Sequence, residues 1–200
     1  MISIRIFHSL PKLSEPLTVT VLPCFRTEFL RFGDLTDYSP CDPGFHVVTV
    51  TGSESRRVYL QKTLPFFTPT AFTLALITAS HGMDILSIPD YPCFCGRKSA
   101  CFRTINLTDT PMRYHLFHYG DWLLFSDVWF RQITSHKRLP AGKHGIYLKL
   151  PEGCAPLIPS VFEAKAGEAY SAFVYGSLPE DTLSLLVQKD TPGRDQLSIQ

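Results

Sequence analysis

At 200 residues, with 44% hydrophobic and 18% charged side chains and a formal net charge of +1, the chain has the composition of a protein that packs a core. Lys and Arg are scattered and nearly balanced by Asp and Glu, which leaves out the electrostatic footprint of a nucleic-acid binder. The longest strongly apolar stretch, Ala71 to Ala79, is interrupted by Thr73 and Thr78 and is too short to cross a bilayer, so no transmembrane segment is expected.

The first 22 residues hold no basic start followed by an unbroken apolar run, so no ordinary secretory signal is visible; the chain reads as cytoplasmic, or as exported by another route. Ile2, Ile4 and Ile6 open an alternation with a period of two, the pattern of a strand with one buried face. Leu17, Val19 and Val21 continue it, separated by Thr18 and Thr20. The pair Pro43-Gly44 reads as a turn before a strand carrying His46, Val48 and Val50 on one face. A long late strand follows at Phe72, Leu74 and Leu76. The segment PDYPCFCGRKSAC, residues 89 to 101, then breaks the pattern and marks a domain boundary. Beyond it Ala141-Gly142 precedes His144, Ile146, Leu148 and Leu150, and Tyr170, Ala172 and Val174 form another late strand. The 16 prolines sit between apolar runs and punctuate many short strands, and no comparable helical face occurs.

The second series repeats the first. A constant offset of 98 residues pairs Arg5 with Arg103, Phe32 with Phe130, Thr36 with Thr134, Gly44 with Gly142, His46 with His144 and Ala71 with Ala169. Near the end the offset becomes 100, matching Asp90 to Asp190 through a two-residue loop insertion. The expected fold is all-β: two tandem immunoglobulin-like antiparallel β-sandwich domains related by internal duplication, with about seven strands each. Residues 1–91 form the first repeat, 92–100 a cysteine-bearing linker, 101–190 the second repeat and 191–200 a flexible tail.

With these landmarks the chain resembles the bacterial family catalogued as domain of unknown function 4397, whose members often carry two such copies. The resemblance runs from Ile4 to Asp190 and rests on IRIFHSLP at 4–11, LRFGDLTDY at 30–38, PGFHVVTV at 43–50 and TLALI at 73–77. The second copy adds LFSDVWFRQIT at 124–134, LPAGKHGIYL at 139–148 and AGEAYSAFVYG at 166–176. It implies an immunoglobulin-like sandwich and a surface or exported location, and it brings no established reaction or ligand. His8 of the first copy faces Asn106 of the second, which argues against one chemistry performed twice.

Candidate chemistry is sparse. Cys93, Cys95 and Cys101 lie in a C-x-C-x5-C arrangement that matches no standard zinc module. As metal ligands they need a fourth donor from Cys41, Cys154 or a histidine; disulfides or free thiols are the plainer readings. His46 and His144 recur after turn glycines on an apolar face, the position of hydrogen-bonded residues at the edge of a core. A thiol nucleophile combining Cys24 or Cys41 with a histidine and Asp34 or Asp37 has no supporting motif. Asn106-Leu107-Thr108 matches a glycosylation tripeptide, a short pattern common by chance. Tyr114, Phe117, Tyr119, Trp122, Trp129 and Tyr147 offer material for a sugar-stacking platform, with core packing as the simpler account for half of them. The expectation is therefore a non-enzymatic binding or structural module, with no catalytic residue, cofactor or metal. It would contact a protein, a glycan or a second copy of itself through loops or sheet edges. A zinc- or thiol-dependent module ranks second and a cysteine/histidine hydrolase third.

Overall fold

The computed structural model describes residues 1–67, 71–92, 94, 96, 98–153 and 155–190. Among these there are sixteen strands and no helix. No helix is therefore long and apolar enough to cross a membrane. Contacts divide the chain into one unit from Met1 to Tyr91 and a second that begins at Pro92.

The first unit contains β1 (Ile2–His8), β2 (Leu17–Leu22), β3 (Phe25–Leu30), β4 (Ser39–Cys41), β5 (Gly44–Gly52), β6 (Val58–Phe66), β7 (Ala71–Ala79) and β8 (Gly82–Pro89). They form two sheets, ordered β4-β1-β7-β8 and β3-β2-β5-β6. The second unit contains β9 (Ser99–Thr108), β10 (Tyr114–His118), β11 (Trp122–Val128), β12 (Lys137–Pro140), β13 (Gly142–Lys149), β14 (Leu157–Ala164), β15 (Ala169–Gly176) and β16 (Ser184–Lys189). Its sheets, β12-β9-β15-β16 and β11-β10-β13-β14, repeat the order strand for strand. The tandem all-β reading is thus borne out, with eight strands per unit where about seven were expected. The strand β9 starts at Ser99, inside the segment read as linker.

One pairing departs from the antiparallel expectation. β1 runs parallel to β7, with Ile4 beside Phe72 and Ile6 beside Leu74, and β9 runs parallel to β15 in the same way. Side-chain alternation reports which face of a strand is buried and is blind to its neighbour's direction, so the sequence pattern carries no signal for this choice. The repeat also slips once. Tyr114 stands opposite Val128 as Leu17 stands opposite Leu30, so the offset is 97 on β2 and β10 while it is 98 at the end of the partner strand. At the other end Tyr170 pairs with Lys189 as Phe72 pairs with Pro89, which places the two-residue insertion in the β15–β16 connection.

Inward-facing residues follow the alternation. Ile4, Ile6, Leu17, Val19, Val21, Val48, Val50, Leu74 and Leu76 fill the first core, and Phe102, Tyr114, Leu116, Ile146, Leu148, Ala172 and Val174 fill the second. Each such aliphatic or aromatic side chain contributes about 1.5–3 kcal/mol through removal of apolar surface from water.

Each unit also buries a charged cluster at the same place. The Arg5 guanidinium donates from Nε to Thr73 Oγ1 at 2.7 Å, and that hydroxyl donates to Asp90 Oδ2 at 2.6 Å. In the second unit Arg103 donates to Ser171 at 2.7 Å and Ser171 to Asp190 at 2.7 Å. Tyr38 donates its hydroxyl to Asp90 at 2.9 Å, whereas the matching His136 places Nε2 3.6 Å from Asp190. The backbone amides of Asp90 and Asp190 donate to the carbonyls of Ala71 and Ala169, each at 2.9 Å. The strand following the core strand is thereby tied at a fixed register.

The end of β1 diverges. His8 is 1% exposed, its Nδ1 accepts from the Leu10 amide, and burial pulls its pKa down to about 4 against a smaller opposing pull from Asp34. Asn106, at the same place in the second unit, instead donates to the carbonyls of Met112 and Val128.

Asp90→Ala leaves the Arg5 charge buried beside a lost partner and is expected to lower the unfolding free energy by about 3 kcal/mol. The double substitution Arg5→Met, Asp90→Leu should recover much of that loss, as read by denaturant titration. Because the folded state keeps His8 neutral down to about pH 4 and an unfolded chain protonates it near 6.5, its contribution is complete above pH 6.5. It declines as pH falls through that window, by on the order of 3 kcal/mol in all. Stability measured from pH 7 to pH 4 should therefore fall more steeply in the wild type than in His8→Asn.

Candidate functional site

The aromatic residues that the sequence singles out separate into three groups. Tyr114 lies wholly inside the second core, where its hydroxyl meets Thr104 Oγ1 at 2.7 Å and burial raises its pKa. Trp129 is 59% exposed and lies under the Arg113 guanidinium, 5.4 Å from the ring centre. Phe117, Tyr119, Trp122 and Tyr147 gather around the β10–β11 hairpin and the adjoining strand β13.

That hairpin builds a site on the outer face of the sheet. Ile146 and Leu148 point into the core, so Gly145, Tyr147 and Lys149 face outward. Phe117 stands opposite Tyr147 and the two rings stack, 5.6 Å between centres and 9° from parallel. Tyr119 folds its ring over Gly145, where a Cβ would lie 2.2 Å from the ring, so only glycine leaves room for this packing. The turn Tyr119-Gly120-Asp121 takes positive φ at Gly120 (90°) and Asp121 (62°), which turns the Asp121 side chain back toward the strand. Its carboxylate accepts hydrogen bonds from the Tyr147 hydroxyl and, at 3.2 Å, from Lys149 Nζ.

The electrostatics follow from those contacts. The Tyr147 hydroxyl first, then the Lys149 ammonium, hold the Asp121 carboxyl below its usual range. Asp121 in turn raises the Tyr147 phenol and the Lys149 amine. Lys149 also lies over the Phe117 and Tyr147 rings, 4.8 and 5.4 Å from their centres. Tyr119, Gly120, Asp121, Tyr147, Pro156 and Pro159 line an open, shallow pocket of about 350 Å³. One tyrosine ring, Tyr119, 47% exposed, is thus presented beside two prolines and an ionised carboxylate in a small concave surface, while Tyr147, 7% exposed, lies buried between Phe117 and Tyr119. At the hairpin tip Trp122 is 73% exposed beside His118.

Among the described residues the first unit has no such face. Thr49 and Thr51 occupy the positions of Tyr147 and Lys149, and Leu22 and Cys24 those of Tyr119 and Asp121. There the hairpin turn serves another end: Cys24 is bonded to Cys41 in a disulfide that links the β2–β3 turn to β4 in the opposite sheet. The His46 imidazole lies against it, Nδ1 3.5 Å from Cys24 Sγ and 3.8 Å from Cys41 Sγ.

The remaining candidates are placed as follows. His46 and His144 are both buried and both put Nε2 2.8 Å from the carbonyl four residues earlier, of Asp42 and of Pro140. The thiol-nucleophile set brings Cys24, Cys41 and His46 together, with both sulfurs in the disulfide. Asp34 instead accepts from the Arg31 amide at 2.7 Å, in its own turn. Of the linker cysteines, Cys101 is disulfide-bonded; Cys93, Cys95 and Cys154 lie outside the described residues, as does the tail from 191 to 200. Asn106 of the glycosylation tripeptide is buried and its amide is held by backbone carbonyls. Reading from residue types alone missed Asp121, Lys149, Gly145 and the two prolines; the dipeptide Gly120-Asp121 between alternating strands was the available signal.

No family model matches the chain, and no curated protein does. Among solved structures it is similar to the family-26 carbohydrate-binding module CBMbc of Eubacterium rectale Amy13K, crystallised with maltoheptaose. Identity is 6% over 96% of this chain and 98% of that one, with a TM-score of 0.31. The Bacillus anthracis TIE protein is similar over 86% of this chain and 33% of its own length, at 14% identity and a TM-score of 0.28. At such identities no site residue carries across, and the site stands on its own geometry.

Gly145→Ala drives a methyl group into the Tyr119 ring and is expected to swing that ring off the strand. A changed tyrosine signal in near-ultraviolet circular dichroism, with the far-ultraviolet spectrum retained, is the expected result.

Proposed function

We propose that this protein is a non-enzymatic glycan-binding module and that the β10–β11 hairpin of the second unit is its binding site. The observation that carries the reading is the exposed Tyr119 ring beside an ionised Asp121 in one pocket, with the buried Tyr147 hydroxyl holding that carboxylate in place. A sugar ring presents apolar C–H faces and equatorial hydroxyls, and it is recognised by an aromatic face for the first and a fixed acceptor for the second. Asp121 is held by Tyr147 and Lys149 before any ligand arrives, so little ordering remains to oppose binding. The carboxylate and ammonium nearly cancel, which favours a neutral sugar over an anionic one.

The first unit, with threonines on the corresponding face, serves in this reading as a scaffold. The resemblance to the domain of unknown function 4397 belongs to the same proposal: the chain is a divergent two-copy relative of that family. Contact with a protein partner is favoured by a separate feature, the exposed Phe45 and Phe67 of the first unit, 72% and 52% accessible and packed edge to face at 5.4 Å.

A glycan array separates these readings. Wild-type protein should retain neutral oligosaccharides, and isothermal titration with a retained glycan should show Tyr119→Ala and Asp121→Ala weakened by roughly tenfold or more, the loss of one stacking or charge-assisted contact. An array without hits, or hits that Tyr119→Ala and Asp121→Ala bind as well as the wild type, excludes this site.

A further inference from the structure

The first unit holds a second cluster of chemical interest, and its donors are those of a soft metal ion. Cys24 Sγ, Cys41 Sγ and a ring nitrogen of His46 all lie within 4.8 Å of one another, with Cys41 and His46 buried. A tetrahedral zinc ion with Zn–S of about 2.3 Å and Zn–N of about 2.1 Å places a sulfur and a nitrogen about 3.6 Å apart. The two sulfurs stand 3.5 and 3.8 Å from His46 Nδ1.

The imidazole is oriented for the task. Its Nε2 lies 2.8 Å from the Asp42 carbonyl oxygen, and with the ring proton on that nitrogen Nδ1 is left as the ligand atom, 3.5 Å from Cys24 Sγ, while Cys41 Sγ lies 3.8 Å from both ring nitrogens. The same Nδ1 lies 3.1 Å from the Leu22 carbonyl oxygen. With the ring proton on Nε2, two lone pairs then face each other, an arrangement that a cation beside them turns from repulsion into coordination. Phe66 stacks on the other side of the ring, 5.7 Å between centres, and keeps it from turning away. The matching ring of the second unit has the same carbonyl contact, but its Nδ1 meets His118 Nε2 at 3.0 Å where the first unit presents Cys24.

We propose that the Cys24–Cys41 disulfide masks a metal site, and that reduction opens it to one thiophilic divalent ion held by Cys24, Cys41 and His46, with the Leu22 carbonyl or a water as fourth donor. A small dithiol supplies the two electrons and two protons: the protein disulfide becomes two thiols as the dithiol closes to its own cyclic disulfide. Binding of Zn²⁺ then displaces the two thiol protons to give two thiolate–zinc bonds. The bonded sulfurs need only separate to about 3.8 Å, the spacing of two tetrahedral thiolates. In the oxidised chain neither sulfur is a thiolate, so oxidation and metal occupancy exclude each other.

The test uses the full chain, oxidised or reduced and desalted under nitrogen, titrated with Zn²⁺ against a chromogenic chelator. Reduced wild type is expected to hold at least one equivalent more than oxidised wild type and one more than reduced Cys24→Ser, Cys41→Ser, and the second comparison subtracts any metal taken by other cysteines, Cys101 among them. His46→Gln keeps both thiols and the disulfide, and it is expected to release that equivalent to the chelator at least about tenfold more readily. Co²⁺ in its place should show thiolate-to-metal charge-transfer absorption that the double variant lacks. Equal zinc in reduced wild type and the double variant overturns the proposal; should the double variant not fold, equal zinc affinity in wild type and His46→Gln does so.

Discussion

Each unit depends on a buried guanidinium. Arg5 and Arg103 sit among strands that are otherwise apolar, 3% and 2% exposed, and an unpaired charge at such a depth is incompatible with folding at ordinary stabilities. The cost is offset by a hydroxyl and a carboxylate supplied from elsewhere in the unit: Thr73 and Asp90 in the first, Ser171 and Asp190 in the second. These partners come from the neighbouring parallel strand and from the residue just past the edge strand, so the charge is satisfied only when β1, β7 and β8, or their counterparts, meet in one register. A one-residue slip would turn the arginine to the opposite face and leave the carboxylate behind. The cluster therefore selects the arrangement, including the parallel pairing, while the aliphatic core supplies most of the free energy.

With one sheet fixed in this way, the other is free to vary on its outer face. The inward positions of β2, β5, β10 and β13 are filled by aliphatic or aromatic side chains in both units. The outward positions have parted company, with Thr49 and Thr51 in one unit and Tyr147 and Lys149 in the other. The hairpin turn has diverged most. Cys24 and Asp121 occupy one structural position, yet Cys24 joins the two sheets covalently while Asp121 is drawn back onto the strand by a tyrosine and a lysine. A disulfide closing a separation of 17 residues is worth about 3 kcal/mol. The second unit has Leu139 in place of Cys41 and packs it in the core, which leaves its turn available for another use.

How far all this was legible in the sequence depends on the kind of signal each feature leaves. Alternation at Ile2, Ile4 and Ile6 or at Leu17, Val19 and Val21 directly expresses one buried face, and the offset of Arg5 to Arg103 and of Asp90 to Asp190 expresses a repeated cluster. Both therefore survive in the fold. The direction of β7 relative to β1 leaves no trace in alternation. The slip to an offset of 97 was invisible because Leu17 and Tyr114 are both large core residues and neither neighbouring register looks wrong until partner strands are known. The binding candidates were half visible: tyrosines and tryptophans announce themselves, but whether one faces inward, as Tyr114 does, or outward, as Tyr147 does, depends on parity within a strand whose bounds the sequence leaves loose. Gly145 gave no warning at all, since its meaning lies in the ring of Tyr119 above it.

The two recurring histidines show how duplication sorts structural from functional constraint. Both rings give Nε2 to a carbonyl four residues upstream, one at Asp42 and one at Pro140, at the same 2.8 Å. That shared bond anchors the connection between β4 and β5, and between β12 and β13, and it accounts for a histidine at both places without any chemistry. The other nitrogen is where the copies differ. In the first unit Nδ1 looks at two sulfurs and a carbonyl; in the second it looks at His118, whose own Nδ1 lies 2.7 Å from the Tyr119 carbonyl at the start of the aromatic turn. A side chain kept for its fold thus presents its spare nitrogen to whatever the neighbouring hairpin has become. It joins a redox-sensitive cluster where that hairpin carries Cys24, and it braces the backbone of the aromatic turn where that hairpin carries Tyr119 and Asp121.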